Sequence, residues 1–355
     1  MGHALRRRRT PSGVGRRPAS DAVRRRMPSD AVGDGAMFRE SVRYGANPDR
    51  RRRTAVPPEP PERTGVCGGQ MRGTAPMNAG IYAVSDLHVA YPENRRIVES
   101  LRPHAAGDWL IVAGDVAELF ADVTWALTLL SERFAKVIWA PGNHELWTHP
   151  QDPVQLRGDA RYQALVRRCR DLGVTTPEDS YPVWTGVGGP LLVAPLFVGY
   201  DYSFREPGVT SKEQALARAH AAGIVCADEV FLHPDPHPSR DAWCRARVTR
   251  TEDRLTDCDP TVPKVLVNHY PLVRTPTDIL RYPEFAQWCG TELTAGWHRR
   301  FHAHTVIYGH LHIPRVTWHD GVRFEEVSVG YPREWRPRGR PDSWLRPVLP
   351  TPAPV

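Results

Sequence analysis

No stretch of this 355-residue sequence approaches the ~18–20 consecutive apolar residues that cross a bilayer as a helix. The longest apolar run, 191–200, is broken by Pro195 and Gly199. A membrane-spanning helix is therefore excluded. Cysteine is sparse: the six residues show no Cys-x-x-Cys spacing and no dense cluster. A disulfide framework is not expected, and free thiols in a reducing cytosol are the default. A secretory signal is not expected either. The N-terminal arginines are followed by no apolar segment, which rejects twin-arginine export, and Met1-Gly2-His3-Ala4-Leu5-Arg6 lacks the Ser or Thr of a myristoylation site. The expected location is cytoplasmic. Lysine is nearly absent, with Lys136, Lys212 and Lys264 the only ones. Such a bias toward arginine reflects a GC-rich coding sequence more than a binding function.

The formal net charge of +7 is unevenly placed. Residues 1–78 hold 17 Arg and 7 acids, so the remainder of the chain is mildly acidic. A nucleic-acid reader needs its charge on the folded surface, so binding through this basic tail is not expected. The same segment has one Leu, one Phe, one Tyr, no Ile and no Trp, with nine Pro and ten Gly. It cannot bury enough apolar area to offset its ordering entropy. We read 1–76 as a disordered Arg/Pro/Gly-rich extension, with an over-extended gene start (initiation at Met71 or Met77) as the favoured explanation. Residues 77–335 are read as one catalytic domain. The last twenty residues, 336–355, contain six prolines and read as an irregular tail.

Between these ends the pattern alternates. Buried strands are expected at 81–84, 109–113, 136–140, 191–198, 264–267 and 305–308, with a shorter one at 181–184. Helices are expected over 93–104, 118–133, 158–172, 211–222 and 239–257. A hairpin, 315–318 with 322–329, turns at His319-Asp320-Gly321. The class is mixed α/β.

Five strands end in an apolar run followed by polar, ligand-type residues. They are Val84-Ser85-Asp86-Leu87-His88, Ala113-Gly114-Asp115, Pro141-Gly142-Asn143-His144-Glu145, Val267-Asn268-His269-Tyr270-Pro271 and Tyr308-Gly309-His310-Leu311-His312. In α/β sheets the ligand crevice lies beyond the carboxyl ends of the strands, so groups scattered in sequence can converge there. Asp-x-His and His-x-His place alternate side chains on one side of an extended segment. Glycines before Asp115, Asn143 and His310 permit a sharp turn and close backbone approach. Singly, each residue has an ordinary explanation: Asp86 as a cap, Asp115 and Asn143 as turn formers, His88 and His269 as hydrogen-bonded core histidines. Five linked pieces in chain order, each after a strand, do not share that explanation.

This series resembles the calcineurin-like metallophosphoesterase superfamily. The resemblance implies a four-layer α/β/β/α sandwich with a dinuclear metal site at the strand ends. It assigns Asp86, His88, Asp115 and His312 to one ion and Asp115, Asn143, His269 and His310 to the other, with Asp115 bridging. Oxygen and imidazole donors without thiolate suit Mn, Fe or Zn and select weakly among them. Two divalent ions ~3.5–4 Å apart clamp phosphate oxygens for in-line attack. The resemblance gives His144 a role outside the coordination shell, at the transition state or the leaving oxygen. It gives Glu118 the place of a carboxylate orienting that imidazole. Phosphoprotein phosphatases carry a phosphate-binding Arg next; Leu119 stands there, which argues against that class.

The segments Asn143–His149, Tyr200–Phe204 and Gly330–Trp335 further resemble an actinobacterial branch that includes a phosphopantetheine hydrolase. That branch member removes the 4′-phosphopantetheine arm from holo acyl carrier protein, which makes a phosphodiester of that kind the implied substrate. Tyr202, Phe204, Arg333 and Trp335 are the candidate substrate contacts, with aromatic packing as the competing explanation. The alternatives are a generic cyclic-nucleotide or nucleotide phosphodiesterase and, outside enzymes, a metal-binding scaffold. An intact ligand set with His144 favours the enzyme.

Overall fold

The computed structural model describes residues 78–351. The expected extension 1–76 lies outside the described residues. The first sheet takes β1 (Ile81–Val84), β2 (Trp109–Val112) and β3 (Lys136–Trp139), all parallel and in register. Its helices are α1 (Pro92–Ser100), α2 (Phe120–Ser131) and α4 (Gly158–Asp171), with a single turn, α3 (Asn143–Leu146), directly after β3. The second sheet holds β4 (Val183–Trp184), β5 (Leu191–Pro195), β6 (Lys264–Val267), β7 (Ala303–Tyr308) and the hairpin β8 (Val316–His319) and β9 (Val322–Glu326). Its order is β4-β5-β6-β7-β9-β8, with β5, β6, β7 and β9 parallel. The long β5–β6 crossover carries α5 (Lys212–Ala221), α6 (Asp228–Phe231) and α7 (Arg240–Thr256), and α8 (Trp297–Arg300) precedes β7. Ser211 and Ser239 cap α5 and α7 by accepting from Gln214 N and Ala242 N, as short polar side chains do at helix starts.

Period-two alternation sorts the strand side chains into layers. Ile81, Ala83, Ile111, Ala113 and Ile138 face Leu191, Val193, Val265, Val267 and Ile307 across the interior between the sheets. The opposite faces are covered separately. Leu110, Val112, Val137 and Trp139 pack with α1, α2 and α4, while Leu192, Ala194, Leu266 and Val306 pack with residues of α7 and α8. Helix, sheet, sheet, helix is the expected four-layer order.

One expectation is corrected. Residues 336–355 are not an irregular tail throughout. After a helix, α9 (Pro332–Arg338), the chain returns as β10 (Arg346–Leu349), antiparallel to β1, so the folded body runs past 335. Proline hid this strand, because Pro is tolerated on a sheet edge, where β10 sits. Cys169, Cys226, Cys244 and Cys289 are buried free thiols, as expected. Among the described residues, no helix is long and apolar enough to cross a membrane.

Candidate metal centre

Each of the five motifs occupies a loop leaving the carboxyl end of a strand: β1, β2, β3, β6 and β7. The two sheets are stitched together there. Ser85 N donates to Val327 O (3.1 Å), Val329 N to Ser85 O (2.9 Å) and Gly330 N to Asp86 O (3.1 Å). The loops must turn hard. Asp86, His88, Asp115, His310 and His312 all have φ between 40° and 71°, left-handed backbone that costs a non-glycine residue ~1–3 kcal/mol and survives only where surroundings enforce it. Close approach fixes two glycines. A Cβ on Gly142 would lie 2.1 Å from Asp115 Oδ1, and one on Gly309 would lie 2.3 Å from Asp86 Oδ2.

The predicted donors come together in two groups. Asp86, His88 and His312 each bring a donor atom within 4.8 Å of the others, and so do Asp115, His269 and His310. Asn143 lines the same cavity as Asp115 and His310. The hydrogen bonds behind these groups fix which atoms face inward. His269 donates Nδ1–H to Ala113 O (2.9 Å), leaving the Nε2 lone pair 3.3 Å from Asp115 Oδ2. His312 donates Nδ1–H to Glu334 Oε2 (2.7 Å), which aims its Nε2 at Asp86 Oδ1 (3.0 Å) and His88 Nε2 (3.2 Å). Asn143 donates Nδ2–H to Asp228 Oδ1 (2.9 Å), turning its own Oδ1 to the site. Asn143 Oδ1, His269 Nε2 and His310 Nε2 are buried without a hydrogen-bond partner.

Lone pairs facing lone pairs need a proton or a cation between them. Burial opposes charge on His269, yet Asp115 pushes it up to about 10. Burial and the charge on His269 push His310 down to about 3. Burial also works against ionised Asp86 and Asp115, but neighbouring imidazoles hold both below the usual carboxylate range. Two carboxylates, an amide oxygen and imidazoles without thiolate are a hard-to-borderline donor set. The residues fit divalent cations, whose binding would displace protons from the imidazoles.

His144 follows Asn143 and sits beside these groups. Its Nδ1 lies 2.9 Å from Glu118 Oε1, and its Nε2 3.7 Å from Asp115 Oδ2. The ring stacks on Trp147 at 3.8 Å between centroids. Burial disfavours its charged form, but Asp115 and Glu118 outweigh that and lift it to about 9. An imidazolium held by one carboxylate and fixed in plane by an indole is a proton donor ready in position.

Three further carboxylates support these groups, and only Glu145 stands in one of the strand-end motifs. Asp228 Oδ1 accepts from Asn143 and from Trp147 Nε1 (2.6 Å). Glu334 holds His312 while accepting Tyr331 N (2.9 Å) as the third residue of α9; its capping-box place was the one clue available. Glu145, fully buried, accepts the backbone N–H groups of Asp115 (3.0 Å), Val116 (3.1 Å) and Gly142 (3.1 Å), which locks the β2 and β3 loops together. Tyr331 stacks on His88 at 4.3 Å.

The candidate substrate contacts are placed elsewhere. Tyr202, Phe204 and Trp335 are buried in the hydrophobic clusters, and none lines the cavity that opens from the donors. Arg333 lies over the Tyr331 ring at 4.6 Å and does not line it either. Aromatic packing, the competing explanation, holds for the three aromatics. Beyond the strand-end groups, the residues that do line the cavity are Trp147 and Tyr331 and side chains of α5, the turn after it, α6 and a 3₁₀ segment, Pro283–Trp288.

Comparison with known proteins gives a concordant picture. The calcineurin-like phosphoesterase family model matches residues 80–314. Over 272 residues the chain is 57% identical to the acyl-carrier-protein phosphodiesterase PptH of Mycobacterium tuberculosis, covering 77% of this chain and 84% of that protein. The crystal structure of the phosphopantetheinyl hydrolase PptH from Mycobacterium tuberculosis superposes with a TM-score of 0.77 at 56% identity, covering 79% of this chain and 99% of that one.

Proposed function

The chain belongs to the calcineurin-like phosphoesterase family and is a metal-dependent phosphoric ester hydrolase; on that premise we propose that it removes 4′-phosphopantetheine from holo acyl carrier protein. Water cleaves the diester: the P–O bond to the carrier serine breaks, a P–O bond to water oxygen forms, and the serine hydroxyl and 4′-phosphopantetheine leave. The observation that carries the reading is the set of unpartnered, inward-facing donor atoms backed by fixed hydrogen bonds. The relatives' names supply the substrate.

In this proposal Asp86, His88 and His312 hold one ion, Asn143, His269 and His310 the other, and Asp115 both. Mn, Fe and Zn all suit the donors. When bound, such ions supply Lewis acidity to the phosphate oxygens and lower the pKa of water. His144 gives its Nε2 proton to the departing serine oxygen, and Glu118 keeps the ring charged and oriented through Nδ1. Trp147 prevents the ring from turning away. Leu119, the N-cap residue of α2, offers no guanidinium to the phosphate. Residues 1–76 take no part in the chemistry, the catalytic domain begins at Met77, and a cytoplasmic location goes with this substrate.

The test is turnover by chelated, then Mn-reloaded, protein on bis-nitrophenyl phosphate and on holo acyl carrier protein. Both should be hydrolysed, the second with release of 4′-phosphopantetheine by mass spectrometry. Hydrolysis of the aryl diester alone would overturn the substrate.

A further inference from the structure

The cavity that opens from Asp115, Asn143 and His310 extends well past them, to about 570 Å³. That size takes a small molecule whole and is far too small for a folded domain. Its far wall is helical. Leu216 of α5, Ile224 and Val225 of the following turn and Phe231 of α6 form it, and Phe285 and Trp288 close it. Among the described residues no Lys or Arg lines the cavity; beyond the strand-end donors and His144 its ionisable side chains are His220 of α5, Cys226, Glu229 and Tyr331.

The wall is fixed from behind. Glu229 Oε1 accepts from Tyr202 Oη–H (2.8 Å) and Trp288 Nε1–H (2.9 Å), and its Oε2 from Arg240 Nη1 (2.8 Å). Gln287 Nε2 donates to Ala215 O (3.3 Å). These bonds tie α5, α6, α7 and the Pro283–Trp288 segment into one surface, so the cavity stands formed before a ligand arrives.

Such a space selects a ligand with phosphate at one end and a long uncharged body. A second phosphate, as in a nucleoside diphosphate, would meet no Lys or Arg along the wall, only the His220 imidazole and the already paired Glu229. We infer that the cavity seats the 4′-phosphopantetheine arm, with its phosphate at the strand-end donors and its dimethyl and amide-bearing chain along the apolar wall. The carrier protein remains outside. The inference rests on the phosphodiesterase reading above and adds that the helical wall recognises the arm.

Calorimetric binding to the metal-loaded, full-length protein tests it with free 4′-phosphopantetheine and inorganic phosphate as probes. Phosphate needs only the strand-end donors; the arm needs the wall. Wild-type protein should bind 4′-phosphopantetheine more tightly than phosphate. Ala217→Phe, which puts a ring into the cavity, should weaken 4′-phosphopantetheine about ten-fold relative to phosphate. Val230→Trp repeats the test at the mouth, where Val230 is 62% exposed and a folding defect is not expected. Trp318→Ala, on exposed β8, is the control and should change neither. Equal affinity for the two probes in the wild type, or parallel losses for both in the two variants, would overturn the inference. Wild-type protein that binds the arm selectively yet releases none from holo carrier protein would overturn the substrate reading alone.

Discussion

The strand-end donors and the helical wall share one cavity and are built on opposite terms. The donors stand on left-handed backbone at Asp86, His88, Asp115, His310 and His312, on loops that glycines let approach within contact distance. The wall is ordinary helix and turn, and its one left-handed residue is Gly223. On one side buried charges face each other; on the other, apolar side chains are pinned by hydrogen bonds behind them. Strain of ~1–3 kcal/mol per residue is tolerable where many tight contacts over-determine a short loop. A surface that must only fit a long uncharged chain requires none. Chemistry and recognition are thus separable, and substitutions should sort by which region they touch.

The largest effect should come from Asp115→Asn. With its charge and bridging capacity gone, metal content falls below two per chain, and turnover is lost on every diester; an Asn variant with full metal content would sink the bridging assignment. Next is His144→Asn. Metal content stays near two while kcat on holo carrier protein falls ~10²–10⁴-fold. Nitrophenolate leaves without much protonation, so the aryl diester should lose less, and equal losses would count against leaving-group protonation. Asp228→Asn sits on the border of the two regions, because Asp228 belongs to α6 and holds the Asn143 amide. Metal affinity measured against a chelator should drop ~10–100-fold, the usual weight of a carboxylate behind a ligand.

The smallest catalytic effect belongs to Glu178→Gln, far from both regions. Glu178 accepts from Tyr162 of α4 (2.9 Å) and from Arg247 (2.8 Å) and Arg250 (2.9 Å) of α7, joining the two outer helical layers. Burial would raise its pKa, but Arg247 and Arg250 hold it at about 2. A carboxylate depressed below its ordinary ~4.3 contributes stability that is present above that value and lost as pH falls toward 2. The Gln variant should be less stable by about 3 kcal/mol at pH 7. Denaturant titrations should show that gap closing between pH 4 and 2, with kcat unchanged at neutral pH. A gap independent of pH would show that packing, not the ion pair, matters there.

The same division governs what can be read from sequence. All seven candidate donor positions are legible because each follows an apolar strand and stands in a short polar motif, and parallel strand ends bring such motifs to one edge. His144 and Glu118 were equally legible, and they meet at 2.9 Å. The wall was not. Helices at 211–222 and 239–257 follow from periodicity, and α5 and α7 lie there, but an apolar helix face looks alike whether it meets a core or a cavity. Tyr202 shows the ambiguity in one residue: its ring is buried, and its hydroxyl reaches Glu229, which does line the cavity. The supporting roles of Asp228 and Glu334 were hidden for another reason. A lone carboxylate at a helix start usually serves as a cap, and only the fold shows it behind a metal-type donor.

The antiparallel return of β10 has a topological consequence. Ile81 pairs with Leu349, so the first and last strands of the folded body lie side by side and their ends could be joined by a short peptide. New ends opened at the exposed Val187–Gly188 turn between β4 and β5 would leave every sheet intact. Such a rearranged gene would read His269 and the His310/His312 pair before Asp86, yet should assemble the same donor set. The left-to-right order of the motifs is therefore a record of how the gene was cut, whereas the chemistry depends only on which strands are neighbours.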